Sequence, residues 1–229
     1  MKIAFAGFEL PEGKVKFEDD KVAALQRKFT PHKVTPFYAE FIKDDFQNCQ
    51  AIFISRAHLL DLLILDMEKL ETRRDRTGDE QERALLDKCL EFLEQEIPLC
   101  EVEFSEAEMV WLRGLAPLSL KPTVVAEEQP AVTDVIAAVL AKAGVVFFYT
   151  AGKQEVHAWP VDQGADIVTC AGKIHSDLAR GFIKADIVSY DDLIRVYNLQ
   201  EARSKGMVKL VDRDYAICPG DIVEIRFNI

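Results

Sequence analysis

Val145-Val146-Phe147-Phe148-Tyr149, bounded by Gly144 and by Ala151-Gly152, opens the stretch that decides the fold. After the turn-forming Ala151-Gly152-Lys153-Gln154 comes a second β-prone run, Glu155-Val156-His157-Ala158-Trp159-Pro160-Val161. Two such runs across a short glycine-containing loop read as a hairpin. Gly164 and Ala165 lead into a helix of small residues that ends near Gly172, and Gly181 to Val188 gives a further strand. The stretch closes through Asp214-Tyr215-Ala216-Ile217 and Pro219-Gly220-Asp221-Ile222-Val223-Glu224-Ile225-Arg226-Phe227. Hairpin, helix, strand, helix and two strands in that order predict an α+β domain of the β-grasp kind.

Six blocks in this stretch carry a family resemblance. They are Phe147-Phe148-Tyr149-Thr150-Ala151-Gly152, Glu155-Val156-His157-Ala158-Trp159, Gly172-Lys173-Ile174-His175-Ser176-Asp177, Gly181-Phe182-Ile183, Asp214-Tyr215 and Pro219-Gly220-Asp221-Ile222. Together they resemble the C-terminal TGS domain, a ubiquitin-like β-grasp, of the YchF or Obg-like ATPases. The resemblance implies a TGS domain over 145–229. Upstream it implies a P-loop GTPase-like α/β domain over 1–144, here a degenerate remnant, with a helical hairpin insertion at about 57–97.

The chain has 229 residues and a mass of 25.9 kDa, enough for one large or two small cores. Apolar residues make up 49%, which excludes a disordered chain. No apolar run is long enough to span a bilayer. Glu9 and Glu12 follow Met1-Lys2-Ile3-Ala4-Phe5-Ala6-Gly7 too soon for a signal peptide, so a cytoplasmic protein is expected. Five scattered cysteines, none in a C-x-x-C pair, read as reduced packing thiols, and no metal site is expected. Charge is uneven: residues 145–229 hold 10 Lys and Arg against 12 Asp and Glu, and residues 1–144 hold 18 against 27. A chain this acidic does not hold naked nucleic acid through bulk electrostatics, so any RNA contact must be local.

Met1 to Gly7 reads as a strand, and Gly7-Phe8-Glu9-Leu10-Pro11-Glu12-Gly13-Lys14-Val15 follows it. A phosphate-binding loop needs G-x-x-x-x-G-K-[ST] between a strand and a helix. Its amides wrap the phosphates, its lysine reaches the outer ones and its hydroxyl holds Mg²⁺. Here five residues separate Gly7 from Gly13, Val15 stands at the hydroxyl position, and Glu9 and Glu12 bring negative charge. Gly7, Gly13 and Lys14 therefore read as a vestigial nucleotide site. After the helix Val22–Phe29, the strand Val34–Ile42 leads to Lys43-Asp44-Asp45-Phe46, where the family has Asp-x-x-Gly. Asp44 and Asp45 read as solvated acids or a cation site. Glu127-Glu128-Gln129-Pro130 stands where the family has its base-reading Asn-x-x-Glu. Three altered elements predict a protein without catalytic residues or a resident cofactor; ATP or GTP with magnesium is the alternative.

Two helices are expected at 57–76 and 80–97, joined by Thr77-Gly78-Asp79. Leu60, Leu63, Met67 and Leu70 form one apolar stripe, and Leu86, Leu90, Leu93 and Ile97 the other. Ser105-Glu106-Ala107-Glu108 has the pattern of a capping box, and residues 132–143 read as an apolar helix. In the last domain Lys173, His175, Asp177, Arg180 and Lys184 are the candidate partner-binding residues. His175 and Asp177 have no nucleophile at recognisable spacing, so their turn reads as a local hydrogen-bonded corner. Trp159 and Tyr215 read as core residues. The reading is a non-catalytic YchF-like binding or regulatory module whose TGS domain, a separable part, and hairpin meet the ribosome, another RNA-containing assembly or a small regulatory ligand. A residual ATP- or GTP-binding protein with weak hydrolysis is the competing reading. No membrane partner is expected, and the sequence leaves the oligomeric state open.

Overall fold

The computed structural model describes residues 1–228. The first half runs β1 (Lys2–Ala6), β2 (Gly13–Lys16), α1 (Asp20–Phe29), β3 (Lys33–Thr35), β4 (Tyr38–Lys43), β5 (Ala51–Ser55), α2 (Arg56–Arg76), α3 (Glu80–Glu94), α4 (Glu106–Leu115), β6 (Thr123–Ala126) and α5 (Val132–Lys142). The second half runs β7 (Val145–Ala151), β8 (Glu155–Asp162), α6 (Ile167–Ile174), α7 (Ser176–Arg180), β9 (Phe182–Ser189), α8 (Tyr190–Arg195), α9 (Leu199–Ser204), β10 (Lys209–Val211) and β11 (Asp221–Phe227). Two 3-10 turns lie at Leu99–Glu101 and Leu118–Leu120. These elements form two units: Met1–Val15 with Ala39–Ala143, and Lys16–Tyr38 with the chain from Gly144 onward.

The first unit is built on a five-stranded sheet of order β2-β4-β1-β5-β6. β1 lies parallel to β4 on one side and to β5 on the other, and β6 extends the sheet parallel to β5. Ile3 to Ala6 and all of Ala51–Ser55 are buried, the unbroken apolar runs of parallel strands covered on both faces. Ala4, Ala6, Ile52 and Ile54 pack under Leu59, Leu62, Leu63 and Leu70 of α2, and Leu85, Leu86, Leu90 and Leu93 of α3 join the same core.

The α2 stripe differs from its expected position. Leu60 is 45% exposed, and the buried face is Leu59, Leu62, Leu63, Asp66 and Leu70. Asp66 fixes that rotation, because its buried carboxylate accepts from the Leu118 and Ser119 amides at 2.6 and 2.7 Å. Helix α3 ends at Glu94, so Ile97 falls beyond it. Between the helices, Asp79 caps α3 through the Gln81 and Glu82 amides. Buried Glu82 accepts from Arg73 Nε and Nη2 at 2.7 and 3.0 Å, and from the Thr77 hydroxyl. The capping box of α4 forms with both of its bonds.

The second unit contains a six-stranded sheet of order β10-β9-β11-β7-β8-β3. β7 and β8 make the expected hairpin, β11 lies parallel to β7, and β9 and β10 follow antiparallel. One face carries α6, with Phe148, Val161, Ile167, Cys170, Ala171, Ala185 and Ile187 in one core. The other core joins Tyr149, Val156, Ala158, Val188 and Ile222 to Leu193 of α8, and to Val22 and Leu25 of α1.

Residues 16–38 thus belong with this unit, not with the 1–144 domain expected from the sequence. The expected strand Val34–Ile42 is divided at Pro36: β3 pairs β8 in one sheet while β4 pairs β1 in the other. Proline lacks the amide that a continuous ladder requires. The expected last pair of strands also shifts. β10 is Lys209–Val211, and Asp214–Ile217 contributes only the single bridge Asp166↔Ala216.

Candidate functional site

In the first unit the carboxyl ends of four parallel strands meet at a cleft of about 530 Å³. Gly7, Phe8 and Glu9 follow β1, Lys43 and Asp44 join from the end of β4, His58 from the start of α2, and Glu127 and Gln129 from the loop after β6. Within the sheet the strands that follow β1 (β2 and β4) lie on one side of it, and the strand that follows β5 (β6) lies on the other, so the cleft sits at a topological switch point, where open α/β sheets bind ligands.

Gly7 has a φ of 78°, and a Cβ there would lie 2.0 Å from Ser55 Oγ and 2.5 Å from His58 Nδ1. Only glycine fits so close to the start of α2. Ser55 stands at the N-cap of α2, yet its hydroxyl faces His58 Nδ1 at 2.8 Å and makes no capping bond. Across the cleft the Gln129 side chain pairs with the Glu9 backbone. Its Oε1 accepts from the Glu9 amide at 3.0 Å, and its Nε2 donates to the Glu9 carbonyl at 3.4 Å. Arg56 meets Glu127 at 3.4 Å.

Of the three residues expected at a vestigial phosphate site, only Gly7 lines this cleft. Gly13 and Lys14 belong to β2, an edge strand, because the loop after β1 runs into a strand where a phosphate loop runs into a helix. Asp44 lines the cleft, whereas Asp45 turns to Asn48, whose side chain first and backbone amide second hold its carboxyl below the usual range. Glu9, Asp44 and Glu127 line the cleft with Lys43, and Arg56 beside it offsets the charge of Glu127. Among the described residues no three His, Cys, Asp or Glu side chains converge on a metal position. His58, Glu127 and Gln129 were not singled out as site residues from sequence; the position of each just beyond a strand end was the available signal.

In the second unit Lys173 lies in the last turn of α6 and is exposed. His175 caps α7, its Nδ1 accepting from the Asp177 amide at 3.1 Å. Asp177 holds Arg180 at 2.8 Å, and Lys184 on β9 meets Asp212 at 3.0 Å. The structure therefore brings His175, Asp177 and Arg180 together in one turn and leaves Lys184 on a separate pair. Of the three cations among the candidate partner-binding residues, Arg180 and Lys184 are already paired. Nearby on β8, His157 stacks on Trp159 with centroids 3.5 Å apart, and burial lowers the imidazole's affinity for a proton. Trp159 Nε1 donates to Thr150 Oγ1 at 3.1 Å.

Residues 145–228 match the family model YchF-GTPase_C, described as a protein of unknown function (DUF933). The likeness is to YchF. The ribosome-binding ATPase YchF of Mycoplasma genitalium is 43% identical over 82 residues, which are 36% of this chain and 22% of that protein. The ribosome-binding ATPase YchF of Haemophilus ducreyi is 33% identical over 148 residues, 63% of this chain and 40% of that protein. The chain thus spans two-fifths or less of the length of these curated YchF relatives. Among solved structures, the Schizosaccharomyces pombe YchF GTPase superposes with a TM-score of 0.79, over 93% of this chain and 86% of that one. At 16% identity that match concerns the mixed α/β fold alone. Among the described residues no helix is long and apolar enough to cross a membrane.

Proposed function

We propose that this chain is a YchF-like binding module that associates with the ribosome and does not hydrolyse nucleotide. The path of the loop after β1 carries the reading. Gly7 turns into a segment tied to Gln129, and Gly13-Lys14 run on as edge strand, so no ring of amides is available for a triphosphate. The first unit is then a degenerate GTPase-like remnant with α2 and α3 as its helical hairpin. The second we read as a TGS domain of the β-grasp kind, a reading supported by the order β8-β7-β11-β9-β10, with the parallel pair at the centre and α6 against it. Ribosome association is carried over from the relatives' names, and a cytoplasmic location goes with it.

A second reading, ATP or GTP binding with magnesium in the cleft, draws on two observations. The relatives are named ATPases, and the cleft lies at the switch point of the sheet. Thermal unfolding with millimolar nucleotide and Mg²⁺ separates the two readings. A ligand at a hundred times its dissociation constant raises stability by about 2.7 kcal/mol. No shift is expected, together with cosedimentation with ribosomes at low salt. A shift of several degrees that Gln129→Ala alters would favour the nucleotide reading, and absence from the ribosomal pellet would remove the first.

A further inference from the structure

Helix α4 leaves two large apolar side chains in solvent: Val110 is 69% exposed and Trp111 40%. With Gly114 and Leu115 they line a groove of about 470 Å³ that Arg73 of α2 and Glu82 of α3 complete. Nothing stands within 4 Å of the position a Cβ on Gly114 would take, so the groove is open above that residue. Contiguous exposed apolar side chains beside a cavity mark interaction surfaces, and tryptophan and arginine are the usual anchors of such surfaces.

The flank of α2 beside the groove is basic, in a chain whose net charge is −11. Lys69, Arg73 and Arg76 recur at i, i+4 and i+7 and so share one side of the helix. Lys69 Nζ donates to the carbonyl of Ala116, the residue that ends α4, at 3.0 Å, which fixes it at one end of the groove. Arg73 is held by Glu82. Among the described residues neither Lys69 nor Arg76 has a carboxylate partner, and Arg113 adds a further exposed cation next to the groove. Glu106, one turn before Val110, is the exposed carboxylate on the same flank of α4. Apolar lining with a basic margin complements an apolar segment with acidic neighbours. A nucleic-acid backbone would satisfy the margin and leave Val110 and Leu115 without a match.

We propose that the groove between α2 and α4 docks a helical segment of a partner protein. That segment carries apolar anchors at helical spacing and acidic residues beside them. The anchors lie over Gly114 against Val110 and Trp111, and the acids face Lys69 and Arg76, a helix-in-groove mode of recognition. The site is independent of nucleotide binding and of the ribosome association proposed above.

The test selects from a library of random peptides, about four helical turns long, displayed on phage against the full chain. The selected peptides are then resynthesised with fluorescein and titrated. Enriched sequences are expected to be acidic, with Leu, Ile, Met or Phe three or four positions apart. Binding should blue-shift tryptophan emission in the native chain and not in Trp111→Phe, which keeps Trp159. Affinity should fall about tenfold or more in Lys69→Glu/Arg76→Glu and in Val110→Asp, at exposed positions where circular dichroism should not change. Failure to enrich any sequence, enrichment of neutral or basic peptides, or binding indifferent to these substitutions would overturn the proposal. So would a single-stranded RNA oligomer that binds the native chain and is lost in the Lys69→Glu/Arg76→Glu variant while the peptides are not.

Discussion

Gly7 shows how one missing Cβ positions a cleft. Its left-handed φ, and the 2.0 Å that would separate an added Cβ from Ser55 Oγ, both exclude a side chain. Gly7→Ala is therefore expected to cost about 1–3 kcal/mol, from backbone strain and overpacking. The readout is a lower urea midpoint at unchanged slope. Glu82 gives a pH-dependent counterpart. Arg73, first, and then the Thr77 hydroxyl hold its carboxyl below the usual range. A carboxyl depressed in the folded state adds stability above its unfolded value of about 4.3, and that stability is lost as the pH falls through the folded value. Glu82→Gln should unfold at lower temperature than the native chain at pH 7, and the gap should close below about pH 4. Equal gaps at pH 7 and in acid would show that the ion pair is not the cause. Residue-scale features built within one turn were legible in sequence, as the Ser105–Glu108 capping box was. His58 was not, because its role comes from Gly7, a residue remote in the chain that folding brings against it.

At the scale of elements, the packing of α2 and α3 turns on which leucines face the core. Leu60 and Leu63 belong to the same periodic stripe in sequence, yet Leu63 is fully buried and Leu60 is 45% exposed. Leu63→Ala should cost about 2–5 kcal/mol and Leu60→Ala under about 0.5 kcal/mol, measured by denaturant unfolding of the two variants side by side. Similar losses would mean that α2 is rotated from the position described. Period alone could not choose between two overlapping stripes; the choice rests on buried Asp66 capping the Leu118 turn, a contact between distant positions. The hairpin β7–β8 was legible because its turn and alternation are local. The division of Val34–Ile42 had a visible cause in Pro36, but no local signal tells which sheet each half joins.

For the whole molecule, the extent of the second unit is the main departure from the sequence reading. A fragment starting at residue 145 lacks α1 and β3, and so uncovers the face formed by Tyr149, Val156, Ala158 and Val188. Asp19 also goes, and with it the acceptor for the Tyr149 hydroxyl at 2.7 Å. Such a fragment is expected to aggregate or to bind a hydrophobic dye such as ANS. Fusing 16–38 to it through a flexible linker should restore cooperative unfolding. Sharp unfolding of the bare fragment would show that the segment only decorates the sheet. Motifs marked the C-terminal blocks accurately, but motif boundaries follow resemblance, whereas this sheet takes its outer strand from the other end of the chain.

That borrowed strand sets a timetable for synthesis. Thr35 and Glu155, hydrogen-bonded across β3 and β8, are 120 positions apart. At about 5–20 residues per second, roughly 6–24 s pass between the making of one and the other. During that interval Val22 and Leu25 have been translated and have no counterpart to cover them. The segment from 16 to 38 is therefore made well before the hairpin that will receive it, and its apolar face stays without that cover until β7 and β8 have been translated.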